Sequence, residues 1–267
     1  MKWSVRAFRA IDTDNRGWIY NYELLDHLKA SGTYSNLQLR HVVKTLEKKT
    51  PRHQIHLEEF ESFISSTNFV KRVLENNLVI PQFQSFSENF EHIYNEIKAD
   101  QDGKYSGGDV AAYIPSLGRS NPKLFATAFC SSDGQYTEVG DSERMFSIQS
   151  VSKVVAYAYL YNLYVHKGNG EEVHRWVGEE PSGVPFNAPV FDKKGRPHNP
   201  MVNAGAIMVC TLLVNEGKTI EDFQNFYMRA SSASRADIDL PLYKEESMTG
   251  STNHALRSLM LANDAYP

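Results

Sequence analysis

The stretch that decides the fold reads F-S-I-Q-S-V-S-K at residues 146–153 and continues as V-V-A-Y-A-Y-L at 154–160. Its first half is polar, whereas its second half is apolar on every side. A helix that is apolar all round is typically buried, so we expect this segment to cross the middle of a domain. Ser150 and Lys153 stand at its start on one helical face. Because a desolvated lysine can deprotonate a serine hydroxyl, the pair predicts a nucleophile and its base.

Composition and charge bound the class of protein. The chain has 267 residues, 41% of them hydrophobic, which suits two domains with their own cores. A formal net charge of −4 gives no reason to expect nucleic acid or an anionic membrane as a partner. No apolar run predicts a membrane span, and no targeting segment is visible, so we expect one to be absent or removed. Cys130 and Cys210 each lie in an apolar run and are predicted to be reduced core thiols.

Near the N-terminus, the segment Asp12 to Glu23 matches an EF-hand calcium loop at several positions. Carboxylates take the first, third and twelfth positions, and a glycine takes the sixth. Arg16 takes the fifth position, where it removes an oxygen ligand and adds a positive charge. Between two later helical stretches, residues 48–55 occupy the place of a second loop but lack carboxylates. We therefore predict a helical EF-hand-like domain over residues 1–80, with calcium binding as an alternative hypothesis.

A second domain is predicted over residues 81–267. Residues 85–97 carry an amphipathic helical stripe that opens with a Ser-x-x-Glu capping box. Two strands at 124–130 and 136–139 flank an Asp-Gly turn, which is the pattern of a hairpin. A helix, a hairpin and then a buried helix indicate an α+β domain.

The chain between the two apolar helices has its own pattern. Prolines and glycines make residues 181–197 a long irregular loop, of a length that is usually functional or mobile. The loop leads to H-N-P-M-V-N-A-G-A-I at 198–207, where a second buried helix begins with small residues that allow close backbone approach. We interpret His198 as a residue that positions the loop, with general base as the alternative. Polar residues follow from 231 to 250, before a last helix.

These motifs resemble those of the serine-dependent glutaminases. The resemblance rests on residues 146–153 and 198–207, on Y-I-P at 113–115 and on V-G-x-E-P-S-G at 177–183. It is greatest to the animal kidney-type enzymes, which carry an EF-hand-like helical domain in front. The likeness implies an α+β fold in which that domain precedes a truncated catalytic domain like that of β-lactamases and penicillin-binding proteins. It also implies hydrolysis of L-glutamine to L-glutamate and ammonia.

The resemblance implies roles for individual residues. Ser150 is expected to be the nucleophile and Lys153 its base. The expected substrate-binding residues are Tyr113, Gln149, Ser150, Asn203, Glu246 and Asn253. Glu246 would face the substrate ammonium, with Glu245 as an alternative because the sequence there departs from the family pattern. No metal ligand and no cofactor are assigned, and the family implies inorganic phosphate as an activator.

Four hypotheses remain open at this level. In the glutaminases the catalytic tyrosine and half of the oxyanion hole lie beyond the last residue of this chain, so we expect a truncated chain that exposes apolar surface. It is either a glutaminase that forms homo-oligomers, tetramers in the family, or a non-catalytic short form that co-assembles with full-length glutaminase. A calcium-responsive module and a penicillin-type acyl hydrolase are the other two. The animal family implies a mitochondrial location, and otherwise a cytoplasmic one.

Overall fold

The structure is a computed structural model, and it describes residues 2–64, 68–100, 103–105, 107–231 and 233–262. The helices are α1 Trp3–Ile11, α2 Asn21–Ala30, α3 Arg40–Glu47, α4 Leu57–Ile64, α5 Asn68–Leu74, α6 Phe83–Lys98, α7 Pro115–Gly118, α8 Ser152–His166, α9 Asn203–Asn215, α10 Ile220–Ser231, α11 Leu240–Thr249 and α12 Ser251–Ala262. The strands are β1 Trp18–Tyr20, β2 Gln54–His56, β3 Ala126–Cys130 and β4 Tyr136–Gly140. Short 3₁₀ helices lie at Leu37–Leu39, Gln149–Val151 and Gly170–Arg175.

Two compact units divide the chain. The first comprises Met1–Asp109 with Asn121–Arg144, and the second comprises Val110–Ser120 with Met145–Pro267. The first unit therefore includes α6 and the β3–β4 hairpin, which the sequence prediction places beyond a boundary between residues 80 and 81. These compact units are not the same as independently folding domains, so the predicted domain boundary between residues 80 and 81 stays a prediction.

Two helix–loop–strand–helix segments build the N-terminal part of the first unit. In each, a loop leads into a three-residue strand, and a helix begins directly after that strand. The strands β1 and β2 pair antiparallel with Ile19 opposite Ile55, and both side chains are fully buried. The rings of Phe8 and Phe60 meet edge to face with centroids 5.3 Å apart, a favourable aromatic geometry. The paired strands thus hold the two segments around one apolar core.

The predicted amphipathic helix and hairpin are both present. Helix α6 buries Phe83 and Tyr94, and β3 pairs with β4 in antiparallel register. The predicted capping box is wrong, because the helix begins at Phe83 and its first turn has no side-chain cap. The hydroxyl of Ser87 instead shares a 2.7 Å hydrogen bond with Thr137 of β4, so a tertiary contact has replaced the local cap.

Buried polar groups anchor the hairpin turn within the first unit. Gln135 is fully buried. Its amide nitrogen donates to the carbonyl oxygens of Ser31 and Ile80, each at 2.9 Å, and its side-chain oxygen accepts the Ile80 amide at 2.9 Å. Asp133 accepts hydrogen bonds from Arg72 and the Val79 amide. These bonds to residues before position 81 explain why the hairpin belongs to the same compact unit as the N-terminal helices.

Helices α8, α9 and α12 provide the core of the second unit, in which Leu160, Met208 and Leu256 are almost fully buried. The prediction that α8 is buried on all sides is wrong. The helix buries Ala156, Tyr159 and Leu160, whereas Val154 is 57% exposed. Its packing against α9 and the Gly170–Arg175 segment covers one face, so the apolar residues on the other face remain in contact with solvent.

Both cysteines differ from the prediction of core placement, since Cys130 and Cys210 are exposed free thiols. Cys130 is the last residue of β3. It lies on the same, exposed face of the two-stranded sheet as Ala126 and Ala128. The prediction of close backbone approach in the second apolar helix fits Gly205, where an added Cβ would lie 1.9 Å from the carbonyl oxygen of Asn199. Within the described residues, every helix is too short or too polar to cross a bilayer.

Candidate active site

The 3₁₀ helix Gln149–Val151 presents Ser150 at the start of α8. Ser150 is exposed, and its hydroxyl makes no hydrogen bond within the described residues. The preceding residue, Gln149, has a φ of +41°, a left-handed conformation that costs a non-glycine residue about 1–3 kcal/mol. Strained backbone of this kind persists only where neighbouring contacts hold it, so the contacts of Gln149 bear directly on the position of Ser150.

The side chain of Gln149 is held at both ends. The Tyr113 hydroxyl donates to its oxygen at 2.9 Å, and its nitrogen donates to the hydroxyl of Ser147 at 2.9 Å. Tyr113 is 69% exposed, which a residue kept only for packing would not be. The structure thus joins two of the predicted substrate-binding residues, Tyr113 and Gln149, directly beside Ser150.

The amine of Lys153 is held on the other side of this turn. It donates to the side-chain oxygen of Asn203 at 2.6 Å and to the carbonyl oxygen of Met201 at 3.2 Å. It also lies 5.7 Å from the ring centroid of Phe186. Burial lowers the pKa of Lys153, because removing water disfavours the charged form. A lower pKa is what a general base needs, although in this structure the amine is bonded to Asn203 and not to Ser150.

The local sequence explains how α9 brings Asn203 to Lys153. The side-chain oxygen of Asn199 accepts the amides of Met201 and Val202 at 2.9 and 3.2 Å, and its nitrogen donates to the carbonyl oxygen of Glu180 at 2.8 Å. This Asx turn ties the end of the long loop to the first residue of α9. From there the Asn203 side-chain nitrogen donates to the oxygen of Asn253 at 3.1 Å, which completes a chain of hydrogen bonds from Lys153 to Asn253.

The two candidate acidic residues occupy different places. Glu245 accepts the Ser116 amide at 2.5 Å and the Arg119 guanidinium at 2.8 Å, and these bonds lower its pKa. Glu246 is exposed and forms no ion pair within the described ranges. Glu245 therefore holds the segment that follows Tyr113, whereas the substrate-facing role expected of Glu246 stays a prediction.

Several groups of the site carried no signal in the sequence. The carbonyl oxygen of Met201, the ring of Phe186 and the guanidinium of Arg119 act through contacts between distant parts of the chain. His198 is predicted to position the loop. Its backbone carbonyl oxygen accepts the Glu180 amide at 3.2 Å, which agrees with that role.

The N-terminal loop has a cation of its own. The guanidinium of Arg16 donates to both carboxylate oxygens of Glu23, at 2.7 and 2.9 Å, and lies 3.6 Å from Asp12 and 3.9 Å from Asp14. Asp12 is buried. Although that burial acts to raise the pKa of Asp12, amide hydrogen bonds from Gly17 and Arg16 hold it below its ordinary value. Arg16 thus contacts carboxylates at the first, third and twelfth loop positions.

An exposed serine, a lysine of lowered pKa and several amide and phenol groups of the same unit are the kinds of group that serine-dependent hydrolases use. The profile of the family described as Glutaminase matches residues 108–266. The chain therefore belongs to the glutaminase family.

Individual relatives agree with this assignment. The chain is 33% identical over 214 residues to the mitochondrial liver isoform of glutaminase from Rattus norvegicus, an alignment covering 79% of this chain and 34% of the rat protein. It is 39% identical over 171 residues to glutaminase 1 of Bradyrhizobium diazoefficiens, which covers 63% of this chain and 26% of that protein. The chain spans about a third of the length of the first curated relatives it matches.

Solved structures give the fold. The crystal structure of Mglu in its tris and glutamate form is similar with a TM-score of 0.55 and 26% identity, over 68% of this chain and 39% of that one. A structure described as the probable glutaminase ybaS is similar with a TM-score of 0.51 and 25% identity, over 64% of this chain and 57% of that one. The fold is accordingly the mixed helix-and-sheet, β-lactamase-like fold of that family.

Proposed function

We propose that this chain acts on L-glutamine as a glutaminase, with Ser150 as nucleophile and Lys153 as base. The observation that carries the proposal is Lys153, which follows the exposed Ser150 by three residues and whose amine has a lowered pKa and donates to Asn203. The similarity to Mglu, which was solved in a form with glutamate, supports glutamine as substrate. We assign the amino-acid part of the substrate to Tyr113, Gln149, Asn203, Glu246 and Asn253.

The reaction has two balanced steps. Lys153 takes the proton of the Ser150 hydroxyl while its oxygen attacks the side-chain amide carbon of glutamine. The carbon–nitrogen bond then breaks, the nitrogen receives the proton, and ammonia leaves a glutamyl ester on Ser150. A water molecule attacks this ester, which releases glutamate and restores the hydroxyl. Tyr113 and Gln149 orient the substrate beside the serine, since reaction requires attacking and attacked atoms to lie in van der Waals contact.

The proposal is tested by incubating the purified 267-residue chain with L-glutamine and measuring glutamate and ammonia. We expect product formation that S150A abolishes and that K153M lowers by about 10²- to 10⁴-fold. K218M removes a partly exposed lysine after α9 and is the matched control, which we expect to behave as the wild type. Failure of the wild-type chain to form either product would sink the proposal.

A second candidate rests on exposed apolar side chains near Ser150. Met145, Phe146, Val151 and Val154 are 60, 76, 63 and 57% exposed and lie within ten positions of the sequence, and clusters of exposed apolar side chains mark interaction sites. This favours a non-catalytic short form that co-assembles with full-length glutaminase. Light scattering and turnover of a full-length glutaminase mixed with the chain test it. We expect the double variant V151D/V154D to lose co-assembly and I220D, which changes another exposed side chain, to retain it. An unchanged particle mass and rate on mixing with the wild type rejects this candidate.

For the N-terminal part we infer an EF-hand-like geometry without calcium binding. The paired β1 and β2 strands and the two helix–loop–strand–helix segments support the geometry. The guanidinium of Arg16 takes the central position among the loop carboxylates, so a calcium ion would have to displace a charged group bound to both oxygens of Glu23. The calcium-responsive hypothesis is accordingly the weaker one.

Assembly, activation and location follow from the family. We propose a homo-oligomer, with the tetramer of the family as the first expectation, and inorganic phosphate as an activator. The similarity to mitochondrial isoforms of rat and mouse supports a mitochondrial location, while the similarity to bacterial glutaminases is neutral on this point.

A further inference from the structure

One group of side chains apart from the candidate active site has the composition of a metal site. Glu171, His174 and Glu179 each place a ligand atom within 4.8 Å of the others. The first two lie on the 3₁₀ helix Gly170–Arg175. Side chains three residues apart eclipse one another in a 3₁₀ helix, so Glu171 and His174 lie along one line, and Glu179 reaches them from the segment that follows.

Hydrogen bonding fixes the imidazole of His174. Its Nδ1 lies 3.2 Å from the carbonyl oxygen of Val177, which can only accept a hydrogen. When Nδ1 of the neutral ring carries the hydrogen and donates to this oxygen, Nε2 presents the lone pair that a metal ligand needs. The side chain is only 10% exposed, so its orientation is held by packing. Proteins orient histidine ligands towards metals in this way.

The distances suit a small divalent ion. Nε2 of His174 lies 3.4 Å from Oε1 of Glu179, and two ligands at 2.0–2.1 Å from a tetrahedral zinc ion are separated by about 3.3 Å. The Tyr157 hydroxyl lies 3.2 Å from Nε2, and it would have to give up this hydrogen bond when Nε2 binds a metal ion. Within the described residues, the carboxylate of Glu171 has one long contact, 3.4 Å from the Tyr161 hydroxyl, and one of its oxygens lies within 4.8 Å of the other two ligand atoms.

The local charges leave a place for a cation. Arg175 pairs with Glu172 at 3.0 Å. Arg196 pairs with Asp192 at 2.6 Å and also donates to the backbone carbonyl oxygen of His174, so its charge is close to the group but is not paired with Glu171 or Glu179 in the described structure. In the part of the chain that the structure describes, neither Glu171 nor Glu179 forms an ion pair with a lysine or arginine.

We propose that Glu171, His174 and Glu179 form a site for a divalent transition-metal ion of the zinc type, with water completing the coordination. The imidazole ligand favours zinc over calcium and magnesium, which take oxygen ligands. The site is independent of the proposed hydrolysis, because none of its residues bonds to Ser150 or Lys153 in the described structure.

Calorimetric titration of the metal-free chain with Zn²⁺ tests the proposal. We expect one saturable zinc site in the wild type, and E171Q and E179Q each to weaken it by at least about tenfold. E172Q changes a glutamate of the same 3₁₀ helix that pairs with Arg175, and it should bind as the wild type does. The optical spectrum of bound Co²⁺ should report a nitrogen ligand and disappear in H174N. Absence of saturable binding, or binding that E171Q and E179Q leave unchanged, would overturn the proposal.

Discussion

The amine of Lys153 donates a 2.6 Å hydrogen bond to the side-chain oxygen of Asn203, fifty positions further along the chain. Asn203 in turn donates to Asn253. A neutral amide can orient an amine without stabilising its charged form as strongly as a carboxylate would. The choice of asparagine at this position is therefore compatible with a lysine whose pKa burial has lowered.

The variant N203D should raise the pKa of Lys153. A carboxylate at hydrogen-bond distance favours the charged amine, because opposite charges stabilise each other most where water is partly excluded. The pH dependence of acetic anhydride labelling, followed by mass spectrometry of the peptide with Lys153, measures the change. We expect a midpoint at higher pH than in the wild type. N215D, on an exposed position of the same helix, should leave it in place, and an unchanged midpoint in N203D would contradict this account of the site.

Gln135 should be among the most costly polar side chains to remove from the first unit. The variant Q135L leaves backbone groups of Ser31 and Ile80 without partners inside the protein, and buried unpaired groups cost about 1–3 kcal/mol each. We expect a loss of about 3 kcal/mol in the free energy of unfolding, measured by urea denaturation. Q84L removes an exposed glutamine of α6 and should have little effect. Equal stability of the two variants would show that the turn is not anchored as described.

Asp133 should make the stability of the first unit depend on acidic pH. Burial acts to raise its pKa, but hydrogen bonds from Ser131 and the Val79 amide and the charge of Arg72 lower it below 3.8. A carboxyl group whose pKa is lower in the folded chain contributes stability above its unfolded pKa and loses it as pH falls through the folded pKa.

The variant D133N should therefore be less stable than the wild type at neutral pH, and the difference should shrink as the pH falls below 3.8. Thermal unfolding across this range measures it. D26N is the control. Asp26 is 65% exposed, and its ion pair with Lys29 is long, at 4.0 Å, so it contributes little to stability. A D133N difference that is constant with pH would show that the carboxylate charge is not involved.

The loop carboxylates should bind an ion once Arg16 is removed. R16D replaces the internal cation by an oxygen ligand, so we expect binding of Ca²⁺ with a Kd of about 10⁻⁵ to 10⁻³ M. Terbium luminescence sensitised by Trp18 reports it, since that ring lies 4.7 Å from the Arg16 guanidinium. R16M removes the charge without supplying oxygen and should bind much more weakly. Ca²⁺ binding by the wild type as tight as that by R16D would disprove the role given to Arg16.

Local patterns predicted the elements whose physics is local. Helix α6 and the Asp-Gly turn of the hairpin are each defined within a few residues, and both are confirmed. The predicted stripe of α6 is only partly buried, since Tyr94 is buried but Ile93 is 54% exposed. The sequence predicts a polar segment where α11 lies, because no apolar stripe appears there, and in the structure only Leu242 of this helix is buried. Its glutamate at position 245 bonds to Ser116, 129 positions away, and no local pattern can show such a contact.

The candidate site divides in the same way. The Ser150 and Lys153 pair follows from helical spacing, and the apolar run after it correctly indicated a partly desolvated lysine. The burial of α8 was overestimated, because periodicity shows that a helix has no polar face but cannot show which neighbours cover it. Asn203 and Asn253 came from family resemblance alone, since residues so far apart meet only through the packing of α9 and α12.

The central claim is that the hydroxyl oxygen of Ser150 attacks glutamine and forms a glutamyl-enzyme ester. The most direct measurement is acid quenching of the chain during incubation with L-glutamine, followed by mass spectrometry of the peptide that contains residues 146–153. The account predicts a glutamyl ester on Ser150 that is absent in S150A and persists in S152A, whose lost hydroxyl only donates to the Gln149 carbonyl. Absence of any ester, or an ester on another residue, would contradict it.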